Sequence, residues 1–197
     1  MRTRLTLLAA APLLLIAAEA AAQRQDTAQS AAEVALSNDT LQLRYIGSGH
    51  SVGVEGSQLT GSVFLGEERD FVLGAGLLFP VDLGVRRLEA SFGPQVYAAL
   101  LQDENDDVMA VSIGTQLRYF LDPRRGLALS GQAYYAPDIL TFGSADNLVD
   151  LSARVELRVA AQMQAFAGMR WFEFDLTDGS GTRTLQEEMF VGIGYRF

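Results

Sequence analysis

The sequence predicts an all-β protein, a transmembrane antiparallel up-and-down β-barrel, and three observations support that fold class. A secretory-type segment opens the chain, runs of alternating apolar and polar residues follow it, and the last run ends on Phe197. A period of two places apolar side chains on one face of a strand and polar side chains on the other. In a membrane barrel the apolar face meets lipid and the polar face lines the interior.

Residues 1–22 have the three-part layout of a cleaved signal peptide. Arg2 and Arg4 provide the positive start, an apolar run follows, and alanines up to Ala22 offer small-residue cleavage sites. The apolar run stops at Glu19, short of the roughly 20 residues that a membrane-spanning helix needs. We therefore predict cleavage near Ala22 and export to the cell outer membrane.

Two further parts are predicted after the signal, a polar flexible leader over residues 23–32 and the barrel domain over residues 33–197. The full chain has a net charge of −9, and removing residues 1–22, with two Arg and one Glu, makes it −10. Nucleic acid is excluded as a partner because neutralising its phosphates requires clustered cations. The chain has no Cys, which excludes disulfides and thiolate chemistry.

The clearest alternating runs are 108–121 and 147–159. The first places apolar side chains such as Ile113 and Leu117 opposite Ser112 and Arg118, and the second repeats this design with more charge. Ten runs separated by turn residues are candidate strands. They are 33–37, 40–47, 57–66, 70–80, 88–101, 108–121, 127–136, 147–159, 163–175 and 185–197.

The strand number depends on the first hairpin. Asn38-Asp39 is a plausible two-residue turn, and it would pair Leu36 with Leu41 on one face of the sheet. An even number of strands is normal for a single-chain bacterial barrel, so this hairpin favours ten strands. The alternative is an eight-stranded barrel that begins at Ser57, with the first hairpin outside the main ladder.

The final strand carries an alternating row that ends on an aromatic residue. This pattern resembles the signal read by the bacterial barrel-assembly machinery, which we expect as a partner during biogenesis. The outward row of this strand is Met189, Val191, Ile193, Tyr195 and Phe197. Aromatic residues near strand ends are candidates for the interfacial girdles of such a barrel. They are Tyr45, Phe71, Phe79, Phe92, Tyr119, Tyr135, Trp171 and Phe174.

Polar residues on the opposite faces predict the content of the barrel interior. Both charge signs occur among them, which favours a lumen filled by paired side chains over a pore lined by one sign. The inward set is Arg44, Glu89, Gln95, Gln116, Arg118, Gln132, Asp150, Arg154, Glu156, Arg158, Arg170, Glu188 and Arg196. The predicted charge network within it is Arg118, Asp150, Arg154, Glu156, Arg158, Arg170 and Glu188.

Two short segments contain residues that are typical of a catalytic site or a metal site, and each has a simpler structural explanation. His50, the only histidine, lies beside Ser51 in a Gly-containing loop, where neighbouring side chains do not form a serine–histidine pair. Asp103, Asn105 and Asp107 have calcium-loop spacing, but Val108 stands where a Gly is required. We therefore predict a solvated loop histidine, an acidic turn, and no catalytic, cofactor or metal residues.

The segment Tyr134-Tyr135-Ala136-Pro137-Asp138 carries a family resemblance, together with residues 168–172 and the closing strand 191–197. Residues 70–197 resemble the YfaZ family of small outer-membrane proteins. The resemblance implies a barrel of ill-defined function with no catalytic residues to transfer. Read from the residues alone, the two tyrosines point to opposite faces, and Pro137 ends the strand because it lacks a ladder donor.

These observations leave four functional hypotheses open. The leading one is a non-enzymatic monomer with a closed lumen that has a structural or surface-interaction role, in contact with outer-membrane lipid and lipopolysaccharide. The second is a narrow porin-like channel for small solutes. The third is an outer-membrane lipid hydrolase, and the fourth is a soluble periplasmic lipid-binding barrel.

Overall fold

The structure is a computed structural model, and it describes residues 30–66, 70–101, 106–176 and 181–197. The predicted signal peptide, most of the leader and residues 103–105 of the acidic turn lie outside the described residues. No helix in the described part of the chain is long and apolar enough to cross a bilayer.

The described chain forms eleven β-strands and two short 3-10 helices, at Gly49–Val52 and Asp138–Leu140. All neighbouring strands in the sheet are antiparallel. The strands are β1 Ala31–Leu36, β2 Leu41–Ser48, β3 Gln58–Leu65, β4 Phe71–Val81, β5 Leu88–Leu101, β6 Asp106–Asp122, β7 Leu127–Ala136, β8 Thr141–Gly143, β9 Ala145–Arg158, β10 Met163–Leu176 and β11 Gly181–Arg196.

Ten of these strands close into a ring, which confirms the predicted antiparallel barrel. Each strand pairs with its predecessor, except that β9 pairs with β7, and β1 closes the ring by pairing with β11. The remaining strand, β8, is not part of the ring and pairs with the first residues of β6. Closure removes the open sheet edges that lipid would leave without hydrogen-bond partners.

The first hairpin decides between ten and eight strands, and its predicted register is confirmed. Leu36 pairs with Leu41 across the turn, and the Ser37 amide donates to the Thr40 carbonyl at 3.0 Å. Strand β1 lies between β2 and β11, so the barrel could not close without it. The eight-stranded alternative is therefore wrong.

The outer surface of the barrel is apolar, as the alternation predicted. Ile113 on β6, Leu151 on β9 and Val191 on β11 are exposed, whereas their inward neighbours Ser112 and Asp150 are buried. The whole predicted row of the last strand, from Met189 to Phe197, is also exposed. Since water does not stabilise so extensive an apolar exterior, this surface is suited to lipid.

The two ends of the barrel differ in what they carry. Ser30 and Phe197 lie together at one end, where the Phe197 amide donates to the Ser30 carbonyl at 2.9 Å. We call this the terminal end, and it also holds the turns that follow β2, β4, β6 and β9. The opposite end, called the far end, holds the β1–β2 turn and the β7–β9 connection.

Several predicted details need correction. Strand β1 begins at Ala31, so the last two residues of the predicted leader belong to the barrel. Phe174 is fully buried inside the barrel instead of joining an aromatic girdle, because it shares the inward parity of Phe172. The short strand β8 was not predicted. It takes the place beside β6 that β7 leaves after Ala136, where Pro137 starts a 3-10 turn.

Candidate functional site

The barrel interior contains two regions of different chemistry, and together they form the candidate functional site. The half toward the far end is packed with apolar side chains, which we call the plug. The half toward the terminal end holds a cavity of about 690 Å³ lined by charged, polar and apolar side chains, which we call the vestibule. The plug consists of Phe64, Val72, Tyr97, Ala99, Val108, Ala110, Ala136, Ala145, Leu148, Phe172, Phe174 and Leu185.

Phe172 is the centre of the plug. Its ring lies 5.5 Å from the rings of Tyr97 and Phe174 and 5.8 Å from the ring of Phe64, measured between centroids. Phe172, Phe174 and Leu148 have no exposed surface. Aromatic contacts of this kind are stabilising, and together with Leu148 these side chains come from four strands, β3, β5, β9 and β10.

A buried ion pair forms the boundary between the plug and the vestibule. The Arg170 guanidinium donates to both carboxylate oxygens of Asp150 at 2.9 Å, and the Tyr97 hydroxyl donates to Asp150 at 2.7 Å. The guanidinium also lies 4.5 Å from the ring centroid of Phe172 and 5.3 Å from that of Phe64. Because Asp150 accepts three charge-assisted bonds, its burial at 1% exposure is compensated.

A second ion-pair cluster lines the vestibule wall. Arg154 donates to both oxygens of Glu33, at 2.8 and 3.0 Å, and to Glu156 at 2.8 Å. Glu156 is also 2.7 Å from the Arg118 guanidinium and accepts a 2.7 Å bond from the Ser130 hydroxyl. Four strands, β1, β6, β7 and β9, contribute to this cluster, so it links strands that are far apart in sequence.

Glycines on neighbouring strands make room for the large inward side chains. A Cβ atom at Gly168 would lie 2.7 Å from the Cβ of Arg154, and one at Gly114 would lie 2.2 Å from the Tyr134 ring. Both glycines are direct cross-strand partners of the side chains that they accommodate. The interior therefore alternates small and large residues, as is common in narrow barrels.

The predicted charge network is thus divided into two clusters, and two of its members lie outside both. Arg118, Arg154 and Glu156 form the vestibule cluster, while Asp150 and Arg170 form the boundary pair. Arg158 is exposed at the terminal end beside Gly126. Glu188 accepts a hydrogen bond from the Ser37 hydroxyl near the β1–β2 turn.

The sequence did not identify Glu33 and Tyr97 as interior residues. Glu33 accepts two hydrogen bonds from Arg154, and Tyr97 donates one to Asp150, the partner of Arg170. Glu33 occupies the position before Val34 on the first hairpin, so the outward parity of Val34 and Leu36 is a signal that would have placed Glu33 inside. Tyr97 shares the inward parity of Gln95 on β5. Its partner Asp150 is 53 residues away, and only the closed ring brings the two together.

The tyrosines of the 134–138 motif and the loop histidine make ordinary structural contacts. Tyr134 is buried and its hydroxyl accepts from the Gln116 amide at 3.1 Å, whereas Tyr135 is exposed on the outer face. His50 lies 3.7 Å from Glu55 in the turn after β2, and the Ser51 hydroxyl donates to the Ser48 carbonyl. No group of three or more potential metal ligands occurs in the described part of the chain.

The fold and the interior define the class of protein: a small antiparallel membrane barrel with an apolar exterior, an apolar cluster in one half of its interior and a cavity in the other half. The family described as YfaZ precursor matches residues 3–197. The chain therefore belongs to the YfaZ family, and it is an exported outer-membrane protein. A search of curated proteins found no match.

Two solved structures resemble the barrel at low sequence identity. The KdgM porin in complex with disordered oligogalacturonate is 9% identical over 86% of this chain and 99% of its own, with a TM-score of 0.46. The outer-membrane channel DcaP of Acinetobacter baumannii is 10% identical over 84% of this chain and 54% of its own, with a TM-score of 0.40.

Proposed function

We propose that this outer-membrane barrel is closed and has a structural or surface-interaction role instead of acting as an open pore. The plug is the observation that carries this proposal. Five side chains from four strands, Phe64, Tyr97, Leu148, Phe172 and Phe174, are each no more than 2% exposed at the far half of the interior. A path for ions would have to pass through this packed apolar region, which dissolved ions do not enter without large cost.

The ion pairs of the interior support the same proposal. In an aqueous pore, charged side chains remain hydrated and can serve as a selective lining. Here Asp150 and Glu156 are 1% and 2% exposed, and each contacts an arginine. These groups contact each other in place of water, as expected for a lumen in which charges are packed.

Single-channel recording in planar bilayers tests this proposal. We expect the refolded wild-type barrel to show no stepwise conductance, because the plug interrupts the lumen. The variant Phe64→Ala/Phe172→Ala removes two rings from the plug and is expected to conduct. Trp171→Ala is the matched control, since it removes the neighbouring outward ring of β10 and leaves the plug unchanged. Steady conductance by the wild type would overturn the proposal.

A narrow channel for small solutes is the second candidate, and the vestibule favours it. The cavity reaches the terminal end, where its lining includes the exposed Glu89 and Asp82. A solute could therefore enter half of the barrel without any rearrangement. Conduction would require displacement of the plug, so recordings at increasing voltage distinguish the candidates: voltage-dependent opening in the wild type favours the channel.

The barrel ends and the exterior suggest its partners. Since ten strands place Ser30 and Phe197 at one end and export delivers the chain from the periplasm, we place the terminal end on the periplasmic side. The monomer then contacts outer-membrane lipid through its apolar exterior and lipopolysaccharide toward the far end.

The exposed final row supports recognition by the assembly machinery. We expect Phe197→Asp to lower the amount of heat-modifiable barrel on unboiled gels well below that of Arg196→Gln. Phe197 belongs to the exposed outward row, whereas Arg196 lines the vestibule. Equal assembly of the two variants argues against recognition through this row.

A further inference from the structure

The vestibule has the size and the access of a ligand site. Its volume of about 690 Å³ lies within the roughly 300–1,000 Å³ that is typical of small-molecule pockets. It opens at the terminal end and ends at the Arg170 side chain, next to the plug. A solute can therefore enter from one side only. This access does not depend on whether the barrel conducts.

The charges in the vestibule are not fully paired. Among the described lining residues, Arg154, Arg170 and Arg118 are each within 3 Å of a carboxylate oxygen. Arg44 and Arg196 instead donate to neutral amide oxygens, those of Gln132 and Gln164, both at 3.0 Å. A guanidinium has five N–H donors, so most of the hydrogen-bonding capacity of these two arginines stays available to a ligand.

The carboxylates of the lining are bonded to other arginines or lie at the mouth of the vestibule. Glu33 and Glu156, the inner carboxylates, are buried against Arg154 and Arg118. The other two, Asp82 and Glu89, are exposed at the mouth. A small adjoining cleft also brings Arg196 together with Arg118 and Arg158. The vestibule therefore presents two guanidinium groups, those of Arg44 and Arg196, whose hydrogen bonds go to neutral amides, and the planar guanidinium matches the geometry of carboxylates and phosphates.

The uncharged part of the lining contains both apolar and polar side chains. Amide and hydroxyl side chains surround the two arginines and can exchange hydrogen bonds with the hydroxyl groups of a solute. They are Gln42, Gln58, Ser91, Gln116, Ser130, Gln132, Ser152 and Gln164. We propose that the vestibule binds a small polar solute that carries a carboxylate or phosphate group, with Arg44 and Arg196 as its anion-binding residues.

Calorimetric titration of the refolded barrel in zwitterionic detergent tests this proposal. The probes are citrate and inorganic phosphate, with glycerol as the uncharged comparison, all at constant ionic strength so that screening does not change. Saturable heat with either anion and none with glycerol is the expected result. Saturation by citrate alone identifies a carboxylate site, and saturation by phosphate alone identifies a phosphate site.

Variants locate the site. Arg44→Gln and Arg196→Gln are each expected to raise the dissociation constant roughly tenfold or more, the effect of losing a charged hydrogen bond. Gln132→Glu should also weaken binding, because it neutralises Arg44 without removing it. Arg125→Gln is the matched control, since Arg125 is 82% exposed on a turn at the same end.

The outcomes that overturn the proposal are distinct. Absence of saturable binding by the folded wild type, verified by its heat-modifiable migration, overturns it. So does an equal loss of affinity in Arg125→Gln, which would reveal attraction by overall charge. Unchanged affinity in both Arg44→Gln and Gln132→Glu shows that Arg44 does not bind the anion, and that result also overturns the assignment.

Discussion

The two halves of the interior are built from the same strands but stabilised in different ways. In the plug, Phe172 is surrounded by the rings of Phe64, Tyr97 and Phe174. In the vestibule, Arg154 is surrounded by Glu33 and Glu156 and lies over the Phe166 ring at 4.5 Å. An inward position in a narrow barrel therefore need not be polar, since one half of the interior is packed with apolar side chains and the other half contains a cavity.

The difference between apolar packing and ion pairing determines how each half stabilises the barrel. Apolar packing stabilises without partners of opposite charge, so the plug can be continuous across several strands. Ion pairs require each charge to find its partner, and removing one partner leaves the other without compensation. The vestibule and the boundary pair should therefore respond to single charge changes according to whether the arginine that is left behind keeps another carboxylate, as Arg154 keeps Glu33.

The largest effect is expected at the boundary between the halves. Asp150→Asn leaves the Arg170 guanidinium buried without a carboxylate, and we expect a loss of about 3–5 kcal/mol in the free energy of unfolding. Reversible urea unfolding in detergent, followed by tryptophan fluorescence, measures it. Asp122→Asn is the control, because Asp122 is part of an exposed turn pair with Arg125 at 3.7 Å and should change stability by less than about 1 kcal/mol. Similar losses in both variants would contradict the boundary assignment.

A smaller effect is expected in the vestibule cluster. Glu156→Gln weakens charge-assisted bonds from Arg154, Arg118 and Ser130, so we expect a loss of about 1.5–3 kcal/mol. The loss should be smaller when Arg154 is already Gln, and the double-mutant cycle gives the coupling between the two residues. Zero coupling combined with altered ion selectivity in bilayers would show a water-filled wall instead of a packed cluster.

Tyr97→Phe tests the contact that links the plug to the boundary pair. The ring remains in place, and only the 2.7 Å hydrogen bond from the hydroxyl to Asp150 is lost. Asp150 keeps both bonds from Arg170, so we expect a loss of about 1.5 kcal/mol, at the low end for a hydrogen bond to a charged group. Tyr135→Phe, on the outer face, is the control and should have no measurable effect on the urea midpoint.

The sequence predicted the face of most residues but not the division of the interior. Lipid on one side of every strand forces a period of two, so Ile113, Leu151 and Val191 could be placed outside from alternation alone. Phe174 was misplaced because an aromatic ring suits both a membrane girdle and an apolar plug. Contacts such as that of Arg154 with Glu33, 121 residues apart, depend on ring closure, which no local pattern encodes.

The smallest effect is expected for Arg44, one of the two vestibule arginines that donate to a neutral amide instead of a carboxylate. Arg44 donates to the neutral Gln132 at 3.0 Å, and Glu33, its cross-strand neighbour, keeps both hydrogen bonds from Arg154 when Arg44 is replaced. We expect Arg44→Gln to change the free energy of unfolding by less than about 1 kcal/mol, because only one hydrogen bond is lost and its acceptor is a neutral amide oxygen. The same urea titration measures it, with Arg154→Gln as the comparison that should lose clearly more. A loss in Arg44→Gln as large as that in Arg154→Gln would mean that Arg44 holds the wall together, and the contrast between packed and available charges in the vestibule would have to be abandoned.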